Sequence, residues 1–496
     1  MLKKILLANR GEIALRIMRA AREMNIPTVA VYSEADAAAL HVLRADEAVL
    51  IGPPPATESY LCIDKLIAAA KQTGCDAVHP GYGFLAENAD FAQAVVDAGL
   101  IFIGPSAEAI RLLGNKLGAR EMMLEANVPI VPGGEVKSGD LEDFVELARA
   151  IGYPVIVKAA SGGGGKGMRI VPAEEQLLES VEAARREAKS AFSDPTVYLE
   201  KYLERPRHIE FQVIADSFGN TVHLYERECS IQRRHQKIIE ETPSTALTPE
   251  LRQQMGQAAV AAAKAARYTS AGTVEFLFFE GHYYFLEVNT RIQVEHPITE
   301  MTTGIDLVKE QIRIASGEKL SFAQDDIHPR GHATECRIYA EDPAVGFLPS
   351  AGKIHYLNEP SVANLRIDSG IYSGCDVPIY YDPILSKVIA YGKDREESTE
   401  RMILALRDYS ILGIKSNVRF LIDCLSHPEY RNGNLFTGFI DQHLPEWSEP
   451  EIGENLPLAL AGAVLAMSAR QTTGAGTEVT AGAPVSLWET LGRWEL

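Results

Sequence analysis

Two acidic residues lie in a strongly apolar setting in the stretch TVEFLFFEGHYYFLEVNTRIQVEHP, residues 273–297. With Glu280, Gly281 and His282 as the turn, Glu275 faces Glu287 across a hairpin. Asn289 shares the face of Glu287, because strand side chains alternate. Like charges opposed in this way repel, and carboxylates left idle among Phe and Tyr side chains cost free energy. A cation between them removes both penalties. Two carboxylates and an amide oxygen are hard ligands, suited to Mg2+ carrying nucleotide phosphates. Beyond the second strand, Arg291 suits a small oxyanion, and Glu295 close to it suits a general base. His296, just before Pro297, reads as structural.

A second stretch, SGGGGKGM at 161–168, places five glycines and a lysine in eight residues. Gly162, Gly164 and Gly167 satisfy GxGxxG, but the β-forming MRIV follows directly, whereas a dinucleotide fingerprint opens a helix. A Walker A loop needs Ser or Thr after its lysine, and Gly167 follows Lys166. What remains is a strand–loop–strand flap whose backbone N–H groups can close over phosphates. Lys158 on the incoming strand and Lys116 upstream suit a nucleoside triphosphate held between two domains. Residues 200–203 read as a hinge strand able to present backbone groups to an adenine. The run ECSIQRRHQKIIEE at 228–241 fits either a solvated charged face or a wall of the site.

These residues need a scaffold. Residues 3–33 alternate strand, amphipathic helix and strand, and the pattern continues to about residue 104, which implies a parallel sheet. The chain leaves this domain near Gly133. A small α/β piece at 151–204 follows, with a strand through IGYPVIVKAA, then a larger strand-rich region to about 446. The last fifty residues are rich in Ala, Gly and Thr, with GAGTEVTAGAP as a linker. The formal charge of −19 argues against nucleic acid as a partner. Six scattered cysteines form no CxxC pair, and neither a signal peptide nor a membrane span is expected. A cytoplasmic protein follows.

Taken in order, these segments resemble the biotin carboxylase family of ATP-grasp ligases. The stretches that carry the resemblance are ILLANRGEIALRI, HPGYGFLAEN, the glycine loop, CSIQRRHQK, EVNTRIQVEHP and ECRIYAEDP, spread over residues 1–445. The resemblance implies an α/β and α+β architecture. A preATP-grasp parallel α/β domain would occupy 1–114, and an ATP-grasp lid with its glycine flap 131–204. The ATP-grasp catalytic core and C-terminal biotin carboxylase domain would fill 205–446, with a linker and tail at 447–496.

It also implies roles. Lys116, Lys158, Gly163, Gly164, Gly165, Lys166, Gly167 and Met168 would bind the phosphates of ATP, with His208 nearby. Glu200, Lys201 and Leu203 would meet adenine, and Gln232 and His235 would join this binding set. Glu275, Glu287 and Asn289 would hold Mg2+ or Mn2+. Arg291, Gln293, the Val294 backbone and Lys237 would bind bicarbonate, and Glu295 would be the base. Arg337 would face the biotin ureido oxygen, with Tyr82, Gly83 and His235 lining the biotin site.

The implied reaction carboxylates biotin on a separate carrier, through carboxyphosphate. No lysine lies between methionines as in AMKM, so the biotin is expected on another protein. The partners implied are a biotin carboxyl carrier protein or domain, a second copy of the chain and a carboxyltransferase subunit, with neither nucleic acid nor membrane. The tail VSLWETLGRWEL resembles the segment after the linker in longer acyl-CoA carboxylase α subunits, with Trp488 and Trp494 as docking residues. The rival functions are another ATP-grasp ligase, a nicotinamide-dependent oxidoreductase and a non-catalytic nucleotide-binding subunit. Stimulation by free biotin separates the first of them.

Overall fold

The computed structural model describes residues 2–136, 140–160, 168–192, 194–449, 456–458, 460–462 and 465. Five residues of the expected flap, Gly163, Gly164, Gly165, Lys166 and Gly167, lie outside the described residues, as do Trp488 and Trp494. The chain divides into two compact units, Met1–Trp447 and Ser448–Leu496, and the first contains everything below.

The N-terminal alternation becomes a five-stranded parallel sheet. Strands β1 (Ile5–Leu7), β2 (Thr28–Ser33), β3 (Glu47–Gly52), β4 (Ala77–His79) and β5 (Ile101–Phe102) lie in the order β3-β2-β1-β4-β5. The helix Gly11–Glu23 buries Ile13, Ile17, Ala20 and Ala21 against it. The order reverses between β1 and β4, and ligands of such sheets bind beyond the carboxyl ends of the strands at that point. There the Asn9 amide donates to the Pro80 and Tyr82 carbonyls, both at 2.7 Å, and pins the loop that carries Tyr82 and Gly83. Gly81 has φ +63°, and a Cβ on it would come within 3.0 Å of that amide nitrogen, so the loop needs glycine here.

A second sheet, antiparallel, comprises β6 (Gly133–Glu135), β7 (Val155–Ala159), β8 (Arg169–Val171) and β9 (Val197–Lys201), in the order β6-β9-β7-β8. The strand expected from Ile151 begins only at Val155. Leu141–Ile151 is a helix, with Phe144 and Ala148 buried at helical spacing, and it ends at Gly152, which has a positive φ.

The third sheet is the largest. Strands β10 (Arg207–Ala215), β11 (Thr221–Arg233), β12 (Gln236–Thr242), β13 (Ser270–Phe279), β14 (His282–Asn289) and β15 (His332–Tyr339) join the strands Ile384–Gly392 and Leu365–Ser369. Their order is β14-β13-β10-β11-β12-β15, then 384–392 and 365–369. Ile209, Phe211 and Val213 of β10 pack with Val274 and Phe276 against Met255, Ala259 and Ala262 of the helix Pro249–Ala265. Alternation then turns His208, Glu210 and Gln212 to the other face. Register sets the chemistry: Glu287, Glu275, Glu210 and Arg227 are successive cross-strand partners on four neighbouring strands.

Arg227 is wholly buried. It donates to Glu210 at 2.5 Å, to Gln212 at 2.7 Å, to Thr273 at 3.0 Å and to Thr299 at 3.1 Å. Breaking a buried ion pair strands the remaining charge, so Arg227→Met is expected to lower stability by about 3–5 kcal/mol in urea unfolding. A loss below about 1 kcal/mol would show that this pair is not holding the sheet.

Candidate active site

Two bulges aim the side chains of the site. The β13–β14 turn is Glu280-Gly281 alone, both with positive φ as a two-residue hairpin turn requires, and His282 already pairs with Phe279. The expected three-residue turn is therefore corrected. Glu275 still faces Glu287, because the partners step from Phe285 to Glu287 between Phe276 and Glu275, leaving Leu286 as a bulged residue. On β11–β12 the partners step from Lys237 to Ile239 between Gln232 and Ile231, leaving Ile238 bulged. In an uninterrupted strand Lys237 would share the core-facing side of Ile239.

Lys237 is the hub. Its ammonium lies 2.5 Å from Glu210, 2.7 Å from Glu275, 2.9 Å from Glu295 and 3.2 Å from Gln293. Gln293 also donates to Glu275 at 3.0 Å. The second oxygen of Glu295 accepts from Arg337 at 2.9 Å, and the Arg337 Nε donates to Glu240 at 2.6 Å. Arg291 donates to Glu87 at 2.9 Å and to the Asn289 Oδ1 at 3.1 Å, while the Asn289 amide donates to Glu275 at 2.8 Å. His208 Nε2 lies 3.1 Å from Glu275. The site is one continuous network.

Its electrostatics follow from that network. Burial alone would raise the Glu295 carboxyl, but Lys237, Arg337 and Arg227 hold it well below the usual carboxylate range. Glu295 also stands at the N-cap position of the helix His296–Thr303, whose N-terminus favours an anion, although its side chain makes no capping hydrogen bond. Glu275 is likewise held well below that range against burial, by Lys237 and His208. Glu287 goes the other way, lifted by burial and by the charge of Glu275. Burial pushes Glu240 up to about 7, with Arg337 opposing.

Among the described residues Glu287 has no hydrogen-bond partner, and its carboxylate, that of Glu275 and the Asn289 oxygen fit a hard divalent cation. His208, Glu210 and Glu275 also bring donor atoms within 4.8 Å of one another. Lys237 already neutralises that cluster, so the Glu287 side is where a cation removes the most repulsion.

The expected site residues fall into two groups. Lys237, Glu275, Asn289, Arg291, Gln293, Glu295, Arg337 and His208 join in the one network. Lys158, on β7, lies 2.5 Å from Glu200, whose other oxygen takes Arg120, so the Glu200 carboxylate is committed to cations. Lys201, at the end of β9, donates to the Gly152 and Tyr153 carbonyls. Lys116 acts on Glu287 through its charge. Gln232 donates to the Cys229 carbonyl, His235 stands at the tip of the β11–β12 turn, Leu203 is buried and Met168 half-buried. Tyr82 meets the site through Lys387, which also binds the Val294 carbonyl.

Sequence reasoning missed Glu210, Glu240, Glu87, Arg120 and Arg227. For Glu210 the signal was present: an acid inside the apolar run IEFQVIA, the same argument that singled out Glu275.

Three family models match. "Biotin carboxylase, N-terminal domain" covers residues 1–110, "Carbamoyl-phosphate synthase L chain, ATP binding domain" 115–323 and "Biotin carboxylase C-terminal domain" 335–442. The chain is 54% identical over 445 residues to biotin carboxylase 1 of Bacillus subtilis, covering 89% of this chain and 99% of that protein. It is 52% identical over 445 residues to the biotin carboxylase of Haemophilus influenzae, covering 90% and 99%. Among solved structures, the biotin carboxylase domain dimer of Hydrogenobacter thermophilus 2-oxoglutarate carboxylase, in complex with MgADP, ADP and bicarbonate, superposes with a TM-score of 0.86. It is 46% identical, over 91% of this chain and all of that one.

Proposed function

The chain belongs to the biotin carboxylase family, and from that premise we propose how its residues divide the work. The reaction is the ATP- and bicarbonate-dependent carboxylation of biotin, the first half-reaction of a biotin-dependent carboxylase. The convergence of Lys237 and Arg337 on Glu295, with Gln293 on the same Lys237 ammonium, is the observation that carries the assignment.

Bicarbonate is a poor electrophile, so phosphorylation must precede carboxyl transfer. Arg291, Gln293, Lys237 and the Val294 backbone hold the anion, and Glu295 takes its proton. A carboxylate held this low is a weak base, so the proton leaves only as the bicarbonate oxygen attacks phosphorus. Lys116, Lys158 and the glycine flap neutralise charge on the phosphoryl oxygens. Glu275, Glu287 and Asn289 hold the metal, which supplies further charge stabilisation when bound. Carboxyphosphate then releases CO2, and the phosphate left behind takes the proton from biotin N1. Arg337 faces the ureido oxygen as negative charge gathers on it. Residues 131–204 act as a lid that excludes water, because carboxyphosphate hydrolyses.

Biotin arrives on a separate carrier, and a carboxyltransferase consumes the product. The crystallised dimer of the Hydrogenobacter relative supports a homodimer. All six cysteines are free and five are buried, in keeping with a reducing cytoplasm. No helix among the described residues is long and apolar enough to cross a membrane.

The direct test is ATP hydrolysis in the presence of bicarbonate, with and without free biotin. Stimulation by biotin is the expected result. Hydrolysis indifferent to biotin would leave an ATP-grasp ligase with another acceptor.

A further inference from the structure

Lys387, on the strand Ile384–Gly392, is wholly buried, and no step above uses it. Its ammonium donates to the Val294 carbonyl at 2.8 Å. Glu12 Oε2 lies 3.4 Å away, and the centre of the Tyr82 ring 5.8 Å away. Removing an ammonium from water is costly unless it is paired and hydrogen-bonded. Here its shortest contact is a main-chain carbonyl rather than a carboxylate. A carbonyl bound by a buried cation is fixed in direction.

That carbonyl belongs to the same peptide unit as the Glu295 N–H. Its direction therefore sets the course of the chain from Gln293 to Glu295, whose side chains meet Lys237. Glu12 comes from the first turn of the helix Gly11–Glu23, in the N-terminal domain. Contact there is close: a Cβ at Gly370 would lie 2.9 Å from the Glu12 nitrogen. Glu335, buried and paired in register with Glu240, adds negative charge near the same ammonium. The ion pair thus joins the N-terminal domain and the penultimate strand of the large sheet behind the turn.

We propose that Lys387 is a positioning residue: it clamps the Val294 carbonyl and so holds residues 291–295 in the shape that receives bicarbonate, with Glu12 as its counter-charge. The proposal rests on reading that turn as the bicarbonate site. The test is steady-state ATP cleavage by Lys387→Met, Lys387→Arg and the double variant Lys387→Met/Glu12→Gln, with Arg291→Ala alongside. Lys387→Met is expected to raise the bicarbonate KM about ten-fold or more, with the MgATP KM within about two-fold of wild type. Lys387→Arg should recover most of the loss.

The double variant should behave as Lys387→Met does, because the missing clamp and not a stranded Glu12 is the cause. It also carries the test if Lys387→Met fails to fold. A bicarbonate KM unchanged in the double variant, with kcat falling only as the folded fraction falls, overturns the proposal. If Arg291→Ala also leaves the bicarbonate KM unchanged, the site reading falls with it. If Arg291→Ala alone raises it, only the clamp falls.

Discussion

Glu295→Ala is expected to slow bicarbonate-dependent ATP cleavage by about 10²–10⁴-fold, the usual worth of a positioned general base. The KM for MgATP should move little, since Glu295 contacts Lys237 and Arg337 and neither Lys116 nor Lys158. Glu295→Gln keeps the shape and one of the two accepted hydrogen bonds, since its amide nitrogen cannot accept, and with no carboxylate to take the proton it should be nearly as slow. Phosphate release followed over time at saturating ATP makes the comparison. A fall of less than about ten-fold in the glutamine variant would remove Glu295 from the role of base.

The second large effect belongs to Arg337→Ala, which should abolish stimulation by biotin. Removing one preorganised donor to a developing oxyanion costs about 10²–10³-fold in rate. Basal bicarbonate-dependent cleavage should fall less, because Lys237 still holds Glu295. The variant should fold: Glu240, already pushed up to about 7 by burial, can take up a proton when its partner is gone. Lys in place of Arg should rescue poorly, because Arg337 spans Glu240 and Glu295 with two separate nitrogens. Equal losses with and without biotin would show that Arg337 serves only to position Glu295.

Local pattern revealed much of this in advance. Hydrophobic alternation gave the parallel N-terminal domain, and carboxylates in apolar strands gave Glu275 and Glu287. The resemblance supplied the roles, including that of Arg337. What stayed hidden depends on pairing between distant segments. The use of Glu200 as a seat for Lys158 and Arg120 needs three separate stretches of chain. Lys387 looks like any strand lysine until the sheet buries it behind Val294. The aim of Lys237 depends on Ile238 being a bulged residue, which no periodicity announces. The charge run at 228–241 divides at its turn: Arg234 faces solvent beside His235, while Arg233 is buried against Glu341 and Lys237 is held in the network.

The hairpin that carries Glu275 and Glu287 has a consequence for insertions and deletions. A two-residue turn counted without interruption would set Glu275 opposite Leu286, and Glu287 would emerge on the core side of the sheet. Leu286, the bulged residue, corrects that phase error by one. Side chains between the two acids can vary in type, but the lengths of the two arms must stay matched to the presence of that bulge. Deleting Leu286 itself would leave the acids opposed in an uninterrupted hairpin, whereas deleting one residue of 276–279 beside an intact Leu286 would keep both glutamates in the sequence and still take the cation site apart.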